Sequence, residues 1–165
     1  MKTIKLDLSF GDIPQGFDFV RPKGFDPLKH PWKLKDDSVS EVFSAFLLNR
    51  IGGESRGRFM DELWRVLVPN GKATIIVPYW TSPRAIQDPH SAWPPLVEQS
   101  FLYFNKDWRA AQNMANTCSC DFDFVYGYNF EQETKNRNAD TQPFWIKHYV
   151  NAVDDLQVTL TKKGK

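Results

Sequence analysis

The sequence predicts an α/β fold built on a mostly parallel sheet, in one domain spanning residues 1–165. Three observations predict it. Residues 38–79 read as strand, helix, Pro-Asn-Gly turn and strand; residues 4–8 alternate like a short opening strand; and a β-rich run closes the chain. In open sheets of this kind ligands bind beyond the carboxyl ends of the strands, where the strand order reverses. Function therefore depends on the loops that leave those ends.

Ile4, Leu6 and Leu8 alternate with Lys5 and Asp7, and the opening strand ends at Ser9-Phe10-Gly11. A second strand, Phe17 to Val20, comes next with only Asp12 to Gln15 and Gly16 between, too few residues for a crossover helix, which needs a dozen or more. Residues 29–35, with His30-Pro31-Trp32, are marked by proline as a loop beside the sheet. Val42, Phe43, Ala45, Phe46, Leu47 and Leu48 form an almost unbroken apolar run, expected of a strand covered on both faces; a short buried helix at its end would look the same. Gly52, Gly53 and Gly57 punctuate the chain, and Ser55 is expected to cap the next helix. There Phe59, Met60, Leu63, Val66 and Leu67 recur at spacings of three and four, with Arg58, Asp61, Glu62 and Arg65 on the opposite face. Pro69 stops the helix, Gly71 is expected to supply the positive backbone angle of a tight turn, and Lys72 to Val77 is a β-branched strand.

Beyond that strand, Tyr79 to His90 holds two prolines, is followed by Trp93-Pro94-Pro95, and cannot be a long regular helix. Its place at a strand's carboxyl end makes it a substrate wall, or an ordinary capping loop with partly buried aromatics. Residues 97–103 and 107–114 are helical in pattern, and 122–128 is an alternating aromatic strand. Residues 131–142 are polar without apolar periodicity and read as a mobile loop. Residues 150–161 form the last strand, paired antiparallel with 122–128 at the sheet edge, before a charged tail of Lys162, Lys163 and Lys165.

Charge and composition exclude several classes. Twenty-one basic against 20 acidic residues give a net charge of +1, too little for a field that gathers nucleic acid or anionic membrane. The first ten residues lack the apolar core of a signal peptide, and no apolar run reaches the roughly 20 residues of a membrane span, so a cytoplasmic location is expected. Cys118 and Cys120 are one residue apart, poor geometry for a bridge, and His30, His90 and His148 show no metal-ligand spacing; inert thiols and no metal are expected. Aromatics make up 15% of the chain without interleaved basic residues, which favours core or subunit interface over base stacking. The aromatic and proline-rich stretches are the expected contact surface of a homo-oligomer.

Taken together, KLDLSFGDIPQGFDFV, DDSVSEVFSAFLLNRI, FMDELWRVLVPNGKATIIVPYW and VDDLQVTLTKK resemble the short class I S-adenosylmethionine-dependent methyltransferases, including forms common in phage and environmental sequences. The resemblance covers most of the chain, and its most specific part is the helix, Leu-Val-Pro-Asn-Gly-Lys turn and strand from Phe59 to Val77. It implies a Rossmann-like, seven-stranded sheet with an antiparallel C-terminal hairpin. The first crossover helix would be reduced or absent, and S-adenosylmethionine would lie over the ends of strands one, two and four. It also implies Ser9, Gly11, Asp26 and Ser44 at the cofactor, Tyr79 and Trp80 at the methyl acceptor, and Arg84, Asp88 and His90 as catalytic or pocket-shaping residues, with His90 a general base. The acceptor is not legible.

The sequence departs from that pattern where the cofactor would be held. The family's glycine, small residue, glycine turn is Ser9, Phe10 and Gly11 here, and its ribose-binding acid is Arg21, a donor-only side chain in an acceptor's place. Phe46 and Asn49-Arg50 replace the family's His and Glu-His, and Ser40 a usual aspartate. Losing charge-assisted ribose bonds costs roughly 1.5 to 3 kcal/mol, and a non-glycine left-handed turn about 1 to 2 more. A micromolar ligand is held by about 8 kcal/mol, so these losses move it toward millimolar unless Asp12, Ser44, Trp80 or a second subunit compensates. Two functions remain open: a methyltransferase, or a catalytically inactive protein of that fold acting as a binding or assembly component.

Overall fold

A computed structural model describes residues 4–11, 18–114 and 117–164. Its five strands are β1 (Ile4–Asp7), β2 (Val39–Ala45), β3 (Leu67–Pro78), β4 (Phe122–Phe130) and β5 (Val153–Lys162), in the order β1-β2-β3-β5-β4. The first three run parallel, β5 lies antiparallel to both β3 and β4, and β4 is the edge. This is the expected α/β fold with its antiparallel C-terminal hairpin. The seven strands implied by the resemblance are five among the described residues. Of the expected second strand, Phe17 lies outside those residues, and Val20 makes only a single parallel bridge to Leu6. No helix joins β1 to β2 in the described part of that connection.

Helix α1 (Gly53–Val66) buries Phe59, Met60, Leu63 and Val66, the face that the spacing predicts. Gly52 is its N-cap and Ser55 lies inside the first turn without capping, because the chain already turns at Gly52-Gly53. After α1 it is Asn70 that takes the positive φ, at 62°. Gly71 is needed for space instead: a Cβ there would stand 2.8 Å from the Val68 carbonyl oxygen and 3.2 Å from that of Ser40.

The core lies on one side of the sheet. Leu6 pairs with Val42, Val42 with Ala73, Ala73 with Leu160, and Ile75 with Val158, all at most 1% exposed. These side chains meet α1, Leu96, Phe101, Phe104 and Phe122 in one cluster. On the opposite side of the same strands Glu41, Phe43, Thr74, Ile76 and Thr159 are half-buried and Gln157 is exposed. The expectation that β2 is covered on both faces is thereby corrected. Its apolar run is long because Phe46 to Leu48 have left the strand, turning through the positive φ of Phe46 into a 3-10 helix, Leu48–Arg50.

Two further elements come after β3: α2 (Pro83–Gln87), whose N-cap Ser82 accepts a hydrogen bond from the Arg84 amide, and a 3-10 helix, Glu98–Phe104. Then come α3 (Lys106–Ala111) and, between β4 and β5, α4 (Gln132–Lys135) and α5 (Gln142–His148). The stretch expected to be a loop at 131–142 is thus largely helical. Its helices, α4 and a 3-10 turn at Ala139–Thr141, are single turns fixed by side-chain caps from Glu131 and Asn138 respectively, too short to show apolar periodicity. Lys162 is no part of a solvated tail: it is 2% exposed, and its ammonium donates to Asp37 and to the Leu67 carbonyl at 2.6 Å each.

Candidate functional site at the carboxyl edge

The loops after β1, β2 and β3 converge at the carboxyl edge of the parallel strands. The chain beyond β1 stays in the ladder: Leu8 donates to the Phe43 carbonyl at 2.7 Å and Phe10 to that of Ala45 at 2.8 Å. Ser9 accepts from the Ala45 amide at 3.0 Å, and the Ser44 hydroxyl donates to the Leu8 carbonyl at 3.3 Å. Gly11 then turns away with φ 93°, a conformation that favours glycine. Ser9, Gly11 and Ser44, three of the four expected cofactor residues, are therefore brought together. Asp26 is not with them; it caps the Leu28 amide, pairs with Lys29 at 3.5 Å, and borders a separate cavity of about 340 Å3 beside Trp32.

Arg21 closes the cradle. It lies just past the bridge at Val20, and its guanidinium pairs with the fully buried Asp7 carboxylate while donating to the Ser9 carbonyl at 2.8 Å and the Gly11 carbonyl at 3.0 Å. The backbone oxygens after β1 and the nearest carboxylate are thus already taken by a cation. Next to it Phe10 lies under the Arg50 guanidinium, 3.7 Å from ring centre to charge, and Arg50 is paired with Asp88.

The expected catalytic residues divide between two networks. Asp88 accepts from Arg50 and from the His90 amide at 2.9 Å, and His90 itself is exposed. Arg84 instead pairs with Asp155 of β5 at 3.1 Å, which also accepts from Asn129 at 3.2 Å. The two expected acceptor residues also part: Trp80 is 51% exposed, whereas Tyr79 is 5% exposed with its ring edge-on to Tyr128. Tyr128 donates to Glu98, a carboxylate almost fully buried. Burial, then the Glu98 charge, pushes the Tyr79 phenol up to about 12; burial and the Glu98 hydrogen bond raise Tyr128 as well. Sequence reasoning missed Glu98 and Tyr128, because one lay in a helical pattern and the other in an aromatic strand.

A cavity of about 440 Å3 opens at the start of α1, bordered by Arg56, Gly57, Pro94, Leu96, Tyr103 and Cys118. Arg56 is 6% exposed and donates to the Ala92 carbonyl at 3.3 Å, and desolvation lowers its basicity. The two cysteines expected to be inert face each other, sulfur to sulfur at 3.4 Å, with Cys118 at the rim of the cavity. The Cys120 hydrogen bond holds Cys118 at about 7, and Cys120 is correspondingly raised.

No protein-family model and no curated protein sequence matches the chain. Among solved structures it is similar to an S-adenosylmethionine-dependent methyltransferase from Archaeoglobus fulgidus, with 12% identity and a TM-score of 0.62 over 98% of this chain and 86% of that one. It also resembles an S-adenosylmethionine-dependent methyltransferase from Mesorhizobium loti at 14% identity and a TM-score of 0.45, over 92% and 72% of the two chains. The first likeness establishes a methyltransferase-type fold. No helix among the described residues is long and apolar enough to cross a membrane.

Proposed function

We propose that this chain is a methyltransferase-like protein whose nucleoside cradle has been closed, so that it acts as a binding or assembly component rather than by methyl transfer. The observation that carries the reading is Arg21 bound to Asp7 and to the Ser9 and Gly11 carbonyls. S-adenosylmethionine in the pose implied by the resemblance needs an acceptor for its ribose hydroxyls and a backbone approach after β1. Here a donor-only guanidinium stands at the first place, and Phe10 occupies the second. The cofactor is also a sulfonium cation, and two acidic groups at this edge, Asp7 and Asp88, are each committed to an arginine. The residues present do not fit the cofactor in that pose.

A second reading, an active methyltransferase, is favoured by one feature. Glu98, with Tyr128 and Tyr79, is a buried carboxylate and phenol network just past the carboxyl end of β3, where a methyl acceptor would be deprotonated. In that reading Trp80 covers the acceptor, and Arg84, Asp88 and His90 shape its entrance. Titration of the folded protein with S-adenosylmethionine by calorimetry separates the two. Heat that fails to saturate at millimolar cofactor is expected; saturation in the micromolar range overturns the closed cradle.

A further inference from the structure

Asp61 of α1 and the two cysteines before β4 place a carboxylate oxygen and two sulfurs within 4.8 Å of one another. They come from stretches 57 residues or more apart, so the fold, not local sequence, assembles them. The cysteine loop is held from both sides. Asp61 accepts from the Ser119 and Cys120 amides at 2.7 and 2.8 Å. Arg109, 1% exposed, donates to the Cys118 carbonyl at 3.1 Å, the Cys120 carbonyl at 2.8 Å and the Tyr103 carbonyl at 2.9 Å. The Ser119 and Cys120 amides and the Cys118 and Cys120 carbonyls are thus all paired, and the two cysteine sulfurs lie 3.4 Å apart.

We propose that Asp61, Cys118 and Cys120 form a zinc site that ties this loop to α1 at the rim of the 440 Å3 cavity. Two sulfurs and one carboxylate select a thiophilic divalent ion over magnesium or calcium, which take oxygen donors. A tetrahedral ion with zinc-to-sulfur bonds of about 2.3 Å sets its sulfurs about 3.8 Å apart, so the observed 3.4 Å needs to open by only a few tenths of an ångström. Binding releases the two thiol protons to solvent, and two thiolates and a carboxylate around Zn2+ leave one net negative charge, which the adjoining Arg109 guanidinium offsets. Three protein ligands leave a fourth position for water. Asp61 would then orient the loop through one oxygen's amide bonds while its carboxylate also ligates the ion.

The test uses the full chain, reduced and stripped with a chelator, titrated with Zn2+ against a chromophoric competitor and separately with Co2+. One equivalent of zinc is expected to bind in the micromolar range or tighter, and cobalt to give the thiolate charge-transfer band and strong visible absorption of a tetrahedral site. Cys118→Ser and Cys120→Ser should each abolish the cobalt spectrum. Asp61→Asn keeps an oxygen to accept the two amides, so its metal-free urea midpoint should match wild type while zinc affinity falls at least about tenfold. No stoichiometric zinc, a weak octahedral cobalt spectrum, or Asp61→Asn affinity equal to wild type would each overturn the proposal.

Discussion

At the scale of single residues, two positions show how much depends on what surrounds a side chain. Gly71 comes after the Pro-Asn turn that marks this region in sequence, but its role is steric: Gly71→Ala would push a methyl group against two backbone oxygens, those of Ser40 in β2 and Val68 at the start of β3. A loss of about 1–3 kcal/mol is expected, read as a lower urea midpoint with unchanged slope. Tyr79 was legible as an aromatic at a strand end, but not as a buried phenol, because Glu98 approaches from a segment 19 residues later. Its proton is held in the folded state to about pH 12, against about 10 in the unfolded chain. Below pH 10 both states keep that proton and the stabilisation is complete; between 10 and 12 the unfolded state alone ionises, so stability falls as pH rises. The loss, at most about 3 kcal/mol, should appear in urea melts compared at pH 9 and 11.5 and shrink in Tyr79→Phe.

At the scale of elements, the long ones were readable and the short ones were not. The apolar spacing of α1 survives as its buried face, and β3 and β5 keep their alternation, since each extends over several turns or pleats. α4 rests on a cap from Glu131, the 3-10 turn Ala139–Thr141 on a cap from Asn138, and α5 on a proline in its first turn, signals too sparse to separate from a polar loop. The segment before β4 is an extreme case, because nothing local dictates its shape. One side chain of α3, Arg109, fastens it by the Cys118 and Cys120 carbonyls and ties it to the Tyr103 carbonyl, and sequence alone shows that arginine only as part of a helical pattern. Arg109→Leu should leave those carbonyls unpaired in a dry site and cost at least about 3 kcal/mol. Hydrogen exchange offers a sharper readout: the Ser119 and Cys120 amides, now held by Asp61, should lose protection far more than amides of β3.

At the scale of the whole molecule, the sheet has one dry side among the described residues. A parallel sheet ordinarily lies between two layers of helices, and the apolar run at 42–48 predicts that arrangement. The strands contradict it position by position: Leu160 and Ile75 are fully buried, while their neighbours Thr159 and Thr74 point to a face dressed with hydroxyls and a Lys5–Glu41 pair at 3.3 Å. The carboxyl-edge site was legible in outline because it depends only on strand direction. Its closure by Arg21 was not, since the pairing with Asp7 requires the reduced second strand to lie beside β1. The one-sided core makes a prediction about stability. Leu160→Ala and Ile75→Ala should each cost about 2–5 kcal/mol by opening a cavity that the packed side cannot fill. Thr159→Ala and Thr74→Ala, on the same strands, should each cost under about 1 kcal/mol, because their side chains already meet solvent. Urea denaturation at two protein concentrations checks this. Equal costs on the two faces, or a threonine cost that appears only at the higher concentration, would mean that a further layer covers the hydroxyl face in solution, and the one-sided core would fall.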